Sequence, residues 1–263
     1  MAKTDDSWEY YGKHDPYFGV LTQERFTTKK LTDETKREFF ASGERYVGAV
    51  LKTIHDCLDP TFRPRRALDF GCGVGRLALP LARICDSVVG VDVSDSMLAE
   101  ARNNAKKQGL ANVLFVKGDD SLSRVSETFD FVHSFIVFQH IPPGRGVAIF
   151  KRLVDFLRDD GIGALHVTYS YSGAVSRRRR LLKAAKQSVP FFAGVVNVLK
   201  KRPFLEPIMQ MNEYDLNHLL RILQESGCHE IHVRFSETSV QGQPFYGVSL
   251  FFRKRQLDVR AHA

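Results

Sequence analysis

The sequence predicts an α/β fold, a doubly wound, mostly parallel sheet of seven strands, and three observations predict it. Ala67-Leu68-Asp69-Phe70 is an apolar strand that ends beside a carboxylate. It turns through Gly71, Gly73 and Gly75 at alternate positions and runs into a helix from Leu77 to Ile84. A second apolar run, Val88 to Asp92, also ends in an acid. Beyond it, strand and helix patterns alternate, which is the order of parallel βα units. Two parallel strands, a glycine turn and an acid at the second strand's tip make a crevice for a nucleoside.

The elements follow in chain order. Residues 1–60 read as an N-terminal helical lid segment. Trp8, Tyr10, Tyr11, Tyr17, Phe18 and Phe26 crowd its first part, and Asp15-Pro16 marks a turn. From Thr32 onward the pattern is helical, with Phe39, Phe40, Tyr46, Val47, Val50, Leu51 and Ile54 at helical spacing behind a capping start. Residues 61–170 form the core. Its strands are Arg66–Phe70, Val88–Asp92, Val113–Val116, Phe129–Phe135 and Gly163–Tyr169, with helices near 96–108 and 144–157. Ser94 or Asp95 caps the first of those helices. Residues 171–212 are a basic insertion. Residues 213–263 complete the core with a helix over 213–225 and strands over 230–235 and 246–253.

Composition bounds the setting. A chain of 263 residues with 43% hydrophobic content suits one sizeable α/β domain with appendages. Met1 to Tyr10 carries acids and no apolar run, so no secretory signal is expected. No apolar stretch reaches the roughly 18 residues of a spanning helix. Cys57, Cys72, Cys85 and Cys228 form no C-x-x-C pair and read as reduced thiols. The expectation is a cytoplasmic protein without structural metal. Its net charge is +8, yet nine Lys and Arg and no acid fall between Ser176 and Arg202. The basicity therefore belongs to one segment.

Which nucleoside the crevice takes follows from its charge. The dinucleotide pattern needs glycine at the sixth position of the turn, where this chain has Arg76. Asp69 beside a pyrophosphate would set anion against anion, whereas it suits a cationic ligand. The segment resembles motif I of the class I S-adenosylmethionine-dependent methyltransferases, acid-x-G-x-G-x-G, with a Rossmann-like sheet and a reversed hairpin at its edge. The likeness extends, more softly, to bacterial small-molecule methyltransferases.

That resemblance implies roles for individual residues. Asp69 would orient the loop and the methionine ammonium, directly or through water, and Gly71, Gly73 and Gly75 would pass beneath methionine and ribose. Asp92 would accept both ribose hydroxyls. Met97 would lie against adenine, and Asp119, or Asp120 beside it, would accept from the adenine amino group. Ser134, at the end of strand four, would face the cofactor near the methyl. Ser134-Phe135-Ile136-Val137 departs from the N/D/S-P-P-aromatic tetrad of enzymes that methylate base amino groups. The Gln139-His140-Ile141-Pro142 ending resembles small-molecule enzymes instead.

Methyl transfer to a hydroxyl needs a proton acceptor, and an imidazole suits that task. His140 leads from its place after strand four, ahead of His14, Tyr17, His166 and Tyr169. Tyr11, Tyr17 and Phe18 read either as a lid that excludes water or as plain packing for the first long helix. In the insertion, residues 190–199 are largely apolar and flanked by Arg177–Arg180 and Lys200-Lys201-Arg202. A solvated helix, an interfacial membrane contact through residues 176–202 and nucleic-acid binding all fit such a segment. Nucleic acid fits least, because no aromatics interleave the cations. The sequence thus implies methyl transfer from S-adenosylmethionine to a small or lipid-linked acceptor, on oxygen first and on nitrogen as the alternative. The alternatives are an RNA methyltransferase and a non-catalytic, cofactor-binding regulatory partner.

Overall fold

In the computed structural model, residues 4–171, 206–207, 209–240 and 243–255 are described. Seven strands form one sheet in the order β3-β2-β1-β4-β5-β7-β6. They are β1 Arg66–Phe70, β2 Ser87–Asp92, β3 Val113–Lys117, β4 Phe129–Ser134, β5 Leu157–Tyr171, β6 Glu230–Val240 and β7 Gln243–Arg253. The first five run parallel, and β7 pairs antiparallel with both β5 and β6. The chain winds outward from β1 in both directions. Strands β1 and β4 therefore diverge at the switch point, where open α/β sheets bind ligands beyond their carboxyl ends.

The helices are α1 Thr4–His14, α2 Pro16–Val20, α3 Asp33–Cys57, α4 Ala78–Ala82, α5 Asp95–Lys107, α6 Pro143–Asp155 and α7 Leu216–Glu225. Thr32 and Thr35 exchange side-chain and backbone bonds at the start of α3, a reciprocal cap that closes two orphan amides. Ser94 caps α5 by accepting from the Met97 amide at 3.1 Å. Each sheet face buries its own core. One joins Leu68, Val132 and Leu165 to Phe150 and Leu223 of α6 and α7. The other joins Ala67, Phe131 and Ala164 to α3, α4 and α5.

Several boundaries differ from the sequence reading. Strand β5 begins at Leu157 rather than Gly163, because Leu157 pairs with Phe129 before a register shift. The hairpin strands β6 and β7 run farther toward their turn, and the helix after the glycine loop is shorter, Ala78–Ala82. The aromatic opening folds as two helices and a 3₁₀ turn at Glu24–Phe26. The basic stretch 176–202 lies outside the described residues. Among the described residues, no helix is long and apolar enough to cross a membrane.

Candidate active site

The turn after β1 carries positive φ at all three predicted glycines, +74° at Gly71, +51° at Gly73 and +89° at Gly75. The amides of Gly71 and Cys72 donate to the Val91 carbonyl at 2.8 and 3.0 Å, so the loop is laced to the end of β2. Close approach adds to conformation. A Cβ at Gly71 would stand 2.3 Å from Val137, and one at Gly73 would stand 2.5 Å from Val20. Gly73→Ala is thus expected to destabilise the fold by about 1–2 kcal/mol. It would lower the melting temperature by about 3–6 °C and displace Val20 from the loop. An unchanged melting curve would show that the loop has room to spare.

Asp92 ends β2 facing this loop. Its Oδ2 accepts from the Gly73 amide at 2.9 Å and its Oδ1 from the Ser94 amide at 3.0 Å. Burial raises its pKa to about 6, against the lowering effect of those backbone donors. A carboxylate has about four acceptor sites, so each oxygen keeps capacity for another donor. Gly118 donates to the Asp92 carbonyl at 2.9 Å and brings Asp119 beside the crevice. The Asp119 carboxylate caps its own turn, accepting from the amides and hydroxyls of Ser121 and Ser123, which hold its pKa well below the usual range. Asp120 pairs with Arg145, which also reaches Asp5 of α1.

The opening helices seal one side of the site. Glu9 of α1 accepts from both Ser94 and Ser96 hydroxyls, at 2.8 and 2.7 Å, and these bonds outweigh burial to hold its pKa at about 2. The Tyr17 hydroxyl donates to Glu100 at 2.6 Å and lies 2.9 Å from Asn104 Oδ1, joining α2 to α5. Met97 is buried against Tyr11 and Val74 in the cluster beneath these helices, and its Cε lies 2.9 Å from where a Gly19 Cβ would be. In this structure Met97 is a packing residue under α1 and α2. Phe18 packs on the margin of the same cluster.

Asp69 is one strand deeper. Strands β1 and β4 set it opposite His133, and His133 Nδ1 lies 2.9 Å from Asp69 Oδ1, both side chains almost fully buried. Asp69 Oδ2, His133 Nε2 and the Nε of buried Arg76 have no hydrogen-bond partner among the described residues. Ser134 donates to the Phe70 carbonyl at 3.0 Å, tying the ends of β4 and β1 together. His140 is held on two sides. Its Nδ1 lies 2.8 Å from the Gln210 carbonyl and its Nε2 3.3 Å from Gln139 Nε2. Trp8 meets it edge-on at 4.8 Å. Burial pushes its pKa down to about 4, against the Gln210 carbonyl.

A separate cavity of about 320 Å³ opens beside the end of β4, between α3 and the β5–β7–β6 face. Tyr46, Phe135, Ile136, Gln139, His166 and Arg234 line it, among others, whereas His140 does not. Sequence reasoning weighed His166 only lightly and passed over Tyr46, Arg234, Glu9 and His133 as site residues. The register of Asp69 with His133 was the one available signal, and it needs the pairing of strands 64 residues apart.

Residues 67–161, from β1 to the first turns of β5, match the family model described as a methyltransferase domain. The chain carries a class I methyltransferase domain. Its sheet order and reversed edge agree with that fold. The structure is similar to magnesium protoporphyrin IX methyltransferase of Synechocystis PCC 6803 with bound S-adenosylhomocysteine. The TM-score is 0.60 at 20% identity, over 96% of this chain and 100% of that one. It is also similar to an N-methyltransferase of Bradyrhizobium japonicum WM9 in complex with S-adenosylhomocysteine, with TM-score 0.59 at 14% identity, over 96% and 99%.

Among curated relatives, the ubiquinone biosynthesis O-methyltransferase of Dinoroseobacter shibae is 36% identical over 101 residues, 38% of this chain and 40% of that protein. A 23S rRNA (uracil(1939)-C(5))-methyltransferase of Marinomonas posidonica is 48% identical over 52 residues, 20% of this chain and 12% of that one. The chain thus spans less than half the length of these curated relatives.

The cofactor of this family is S-adenosylmethionine. The residues of the methyltransferase domain fit it at both ends. Asp69 Oδ2 is a buried acceptor without a donor among the described residues, as a cationic ammonium requires. Asp92 places a buried carboxylate at the end of β2, and each of its oxygens, already accepting one amide, has capacity for a further donor.

Proposed function

We propose that this chain transfers a methyl group from S-adenosylmethionine to an oxygen of a small-molecule acceptor. One observation carries the reading, a walled cavity of about 320 Å³ beside the end of β4. That volume lies at the low end of small-ligand sites, and it suits a small acceptor better than a polymer. In this reading Asp92 holds the ribose hydroxyls, and Gly71, Gly73 and Gly75 give the loop its close approach. Asp69 attracts the ammonium, Ser134 fixes the end of β4 near the methyl, and Asp119 borders the adenine. The helices α1 and α2, with Tyr11 and Tyr17, act as the lid that excludes water.

When bound, the cofactor supplies a methyl group on a sulfonium leaving group, so alignment supplies much of the rate. Held by Asp69, Asp92 and the glycine loop, it would give its methyl carbon to the acceptor oxygen in line, with the carbon–sulfur bonding pair left on sulfur. The acceptor's proton goes to a neutral imidazole. His166 suits this better than His140, because His166 lines the cavity while His140 is engaged by Gln210 and Gln139. Burial and the neighbouring His133 lower the His166 pKa to about 4, so it is neutral at pH 7.

Calorimetric titration with S-adenosylhomocysteine tests the reading, with pH as the lever. Asp92 binds its proton with a pKa of about 6 in the free protein, and only its ionised form accepts from both hydroxyls. Affinity is expected to be full near pH 7.5 and to fall below pH 6, approaching tenfold per unit, with a proton released on binding at pH 5. No binding at pH 7.5 by folded protein would sink the cofactor assignment. A pH-independent affinity would remove Asp92 from the site.

The rRNA methyltransferase relatives motivate a second reading, with the basic residues 176–202 on RNA or on a membrane surface. They match over a small part of their length. If RNA is the acceptor, its affinity will fall steeply with salt. A non-catalytic cofactor-binding partner would bind S-adenosylhomocysteine yet methylate neither small molecules nor RNA.

A further inference from the structure

The sheet face beneath α3 changes character along β5. Ala67, Phe131, Ile162, Ala164 and Phe251 give it an apolar floor that packs on the helices. Beyond Ala164 the same face carries His166 and Thr168 on β5, paired with Ser249 and Gly247 on β7, which pair in turn with Arg234 and Ser236 on β6. Sheet surface that only packs against a helix stays apolar. Here His166 and Thr168 are 7% and 3% exposed, so the polar floor is not simply a solvated edge.

The cavity of about 320 Å³ stands on that floor. Its walls are aromatic and aliphatic, with Tyr46 of α3 and Phe135 at a ring separation of 4.0 Å, and with Ile136, Met211 and Phe245. Ile136 turns the chain at φ 55°, a left-handed conformation that strains a β-branched residue. Such strain gathers at ligand sites. The lining includes no carboxylate. Its one guanidinium, Arg234, makes a single long contact to Thr53 Oγ1 at 3.4 Å and no ion pair among the described residues. Buried His166 lines the cavity with an Nδ1 that lacks a partner among the described residues. Arginine without an acid, at the lip of an aromatic pocket, is complementary to a carboxylate.

We propose that this cavity takes an aromatic carboxylic acid, its ring against Tyr46 and Phe135 and its carboxylate on Arg234. The inference rests on the small-molecule reading above and names the acceptor's class. Strand spacing sets which end reacts. β4 and β6 lie three strands apart, roughly 14 Å, and an arginine side chain spans only part of that. The carboxylate is therefore the handle, and a ring hydroxyl at the opposite edge lies toward the end of β4.

The test is calorimetry with 4-hydroxybenzoate, 6-hydroxy-2-naphthoate and their neutral carboxamides, on the protein with and without S-adenosylhomocysteine. At least one acid is expected to bind ten times more tightly than its amide. Arg234→Gln is expected to abolish that preference and Arg234→Lys to keep part of it, while S-adenosylhomocysteine binds both variants as it does the parent. Equal binding of acid and amide, an unaltered preference in Arg234→Gln, or no binding of either acid would overturn the proposal. Failure of S-adenosylhomocysteine to bind, with the acid preference intact, would overturn the cofactor reading alone.

Discussion

Asp92→Ala is expected to weaken S-adenosylhomocysteine binding by at least 100-fold while the protein stays folded. The ligand's two hydroxyls would each lose a charge-assisted hydrogen bond, worth about 1.5–3 kcal/mol apiece, so a total of about 3 kcal/mol is a conservative figure. The same carboxylate accepts from the Gly73 and Ser94 amides, so its loss also frees the glycine loop and the N-cap of α5. Asp92→Asn separates these effects. It keeps the shape and one acceptor, but its amide group faces a backbone donor, and an intermediate loss is expected. Melting curves for both variants establish that the fold survives. Parent-like affinity in a folded Asp92→Ala protein would mean that the ribose lies elsewhere.

The backbone of the candidate site was legible because its signals are local. The strand, acid and alternate glycines of residues 67–75 form one continuous stretch, and the positive φ at Gly71, Gly73 and Gly75 is what that spacing demands. The second acid, at Asp92, follows the same logic one strand later. Where the reading fell short, the determinants are tertiary. Helix α1 has no apolar stripe that would announce it. It is held by Glu9 on Ser94 and Ser96, 85 and 87 residues distant, and by the Arg145–Asp5 pair, 140 residues apart. The early start of β5 depends on Leu157 meeting Phe129, which no local pattern signals.

Candidate side chains divide in the same way. Met97 sits at the spacing the family uses, yet α1 and α2 cover it. His140 is in register with the family's ending, but the Gln210 carbonyl and the Gln139 amide engage its nitrogens. A sequence shows where a residue falls relative to a motif. It does not show which partners already occupy the side chain. Conversely, Arg234 stood in an ordinary strand pattern, and only the folding of β6 beside β7 and α3 makes it the cation of a cavity.

Asp69 is where the structural and ligand roles of one carboxylate can be told apart. It pairs with His133 and favours the charge of the buried Arg76, whose pKa burial lowers against the opposing effects of Tyr46 and Asp69. Asp69→Ala would leave an imidazole and a guanidinium buried without their acid, and breaking such an arrangement costs about 3–5 kcal/mol. The melting temperature is expected to fall by roughly 6–15 °C. Asp69→Asn keeps an oxygen for His133 and is expected to lose less than half of that. Cofactor binding then discriminates. If the carboxylate attracts the methionine ammonium, Asp69→Asn will bind S-adenosylhomocysteine at least tenfold more weakly despite a nearly intact fold. If it binds as the parent does, Asp69 serves the core alone. A fall below 2 °C for Asp69→Ala would instead mean that water reaches His133 and Arg76. The proximity of β1 to the switch point explains why one residue can carry both tasks. The strand that positions the glycine loop also anchors β4, so the acid at its end meets the core on one oxygen while the other has no partner among the described residues.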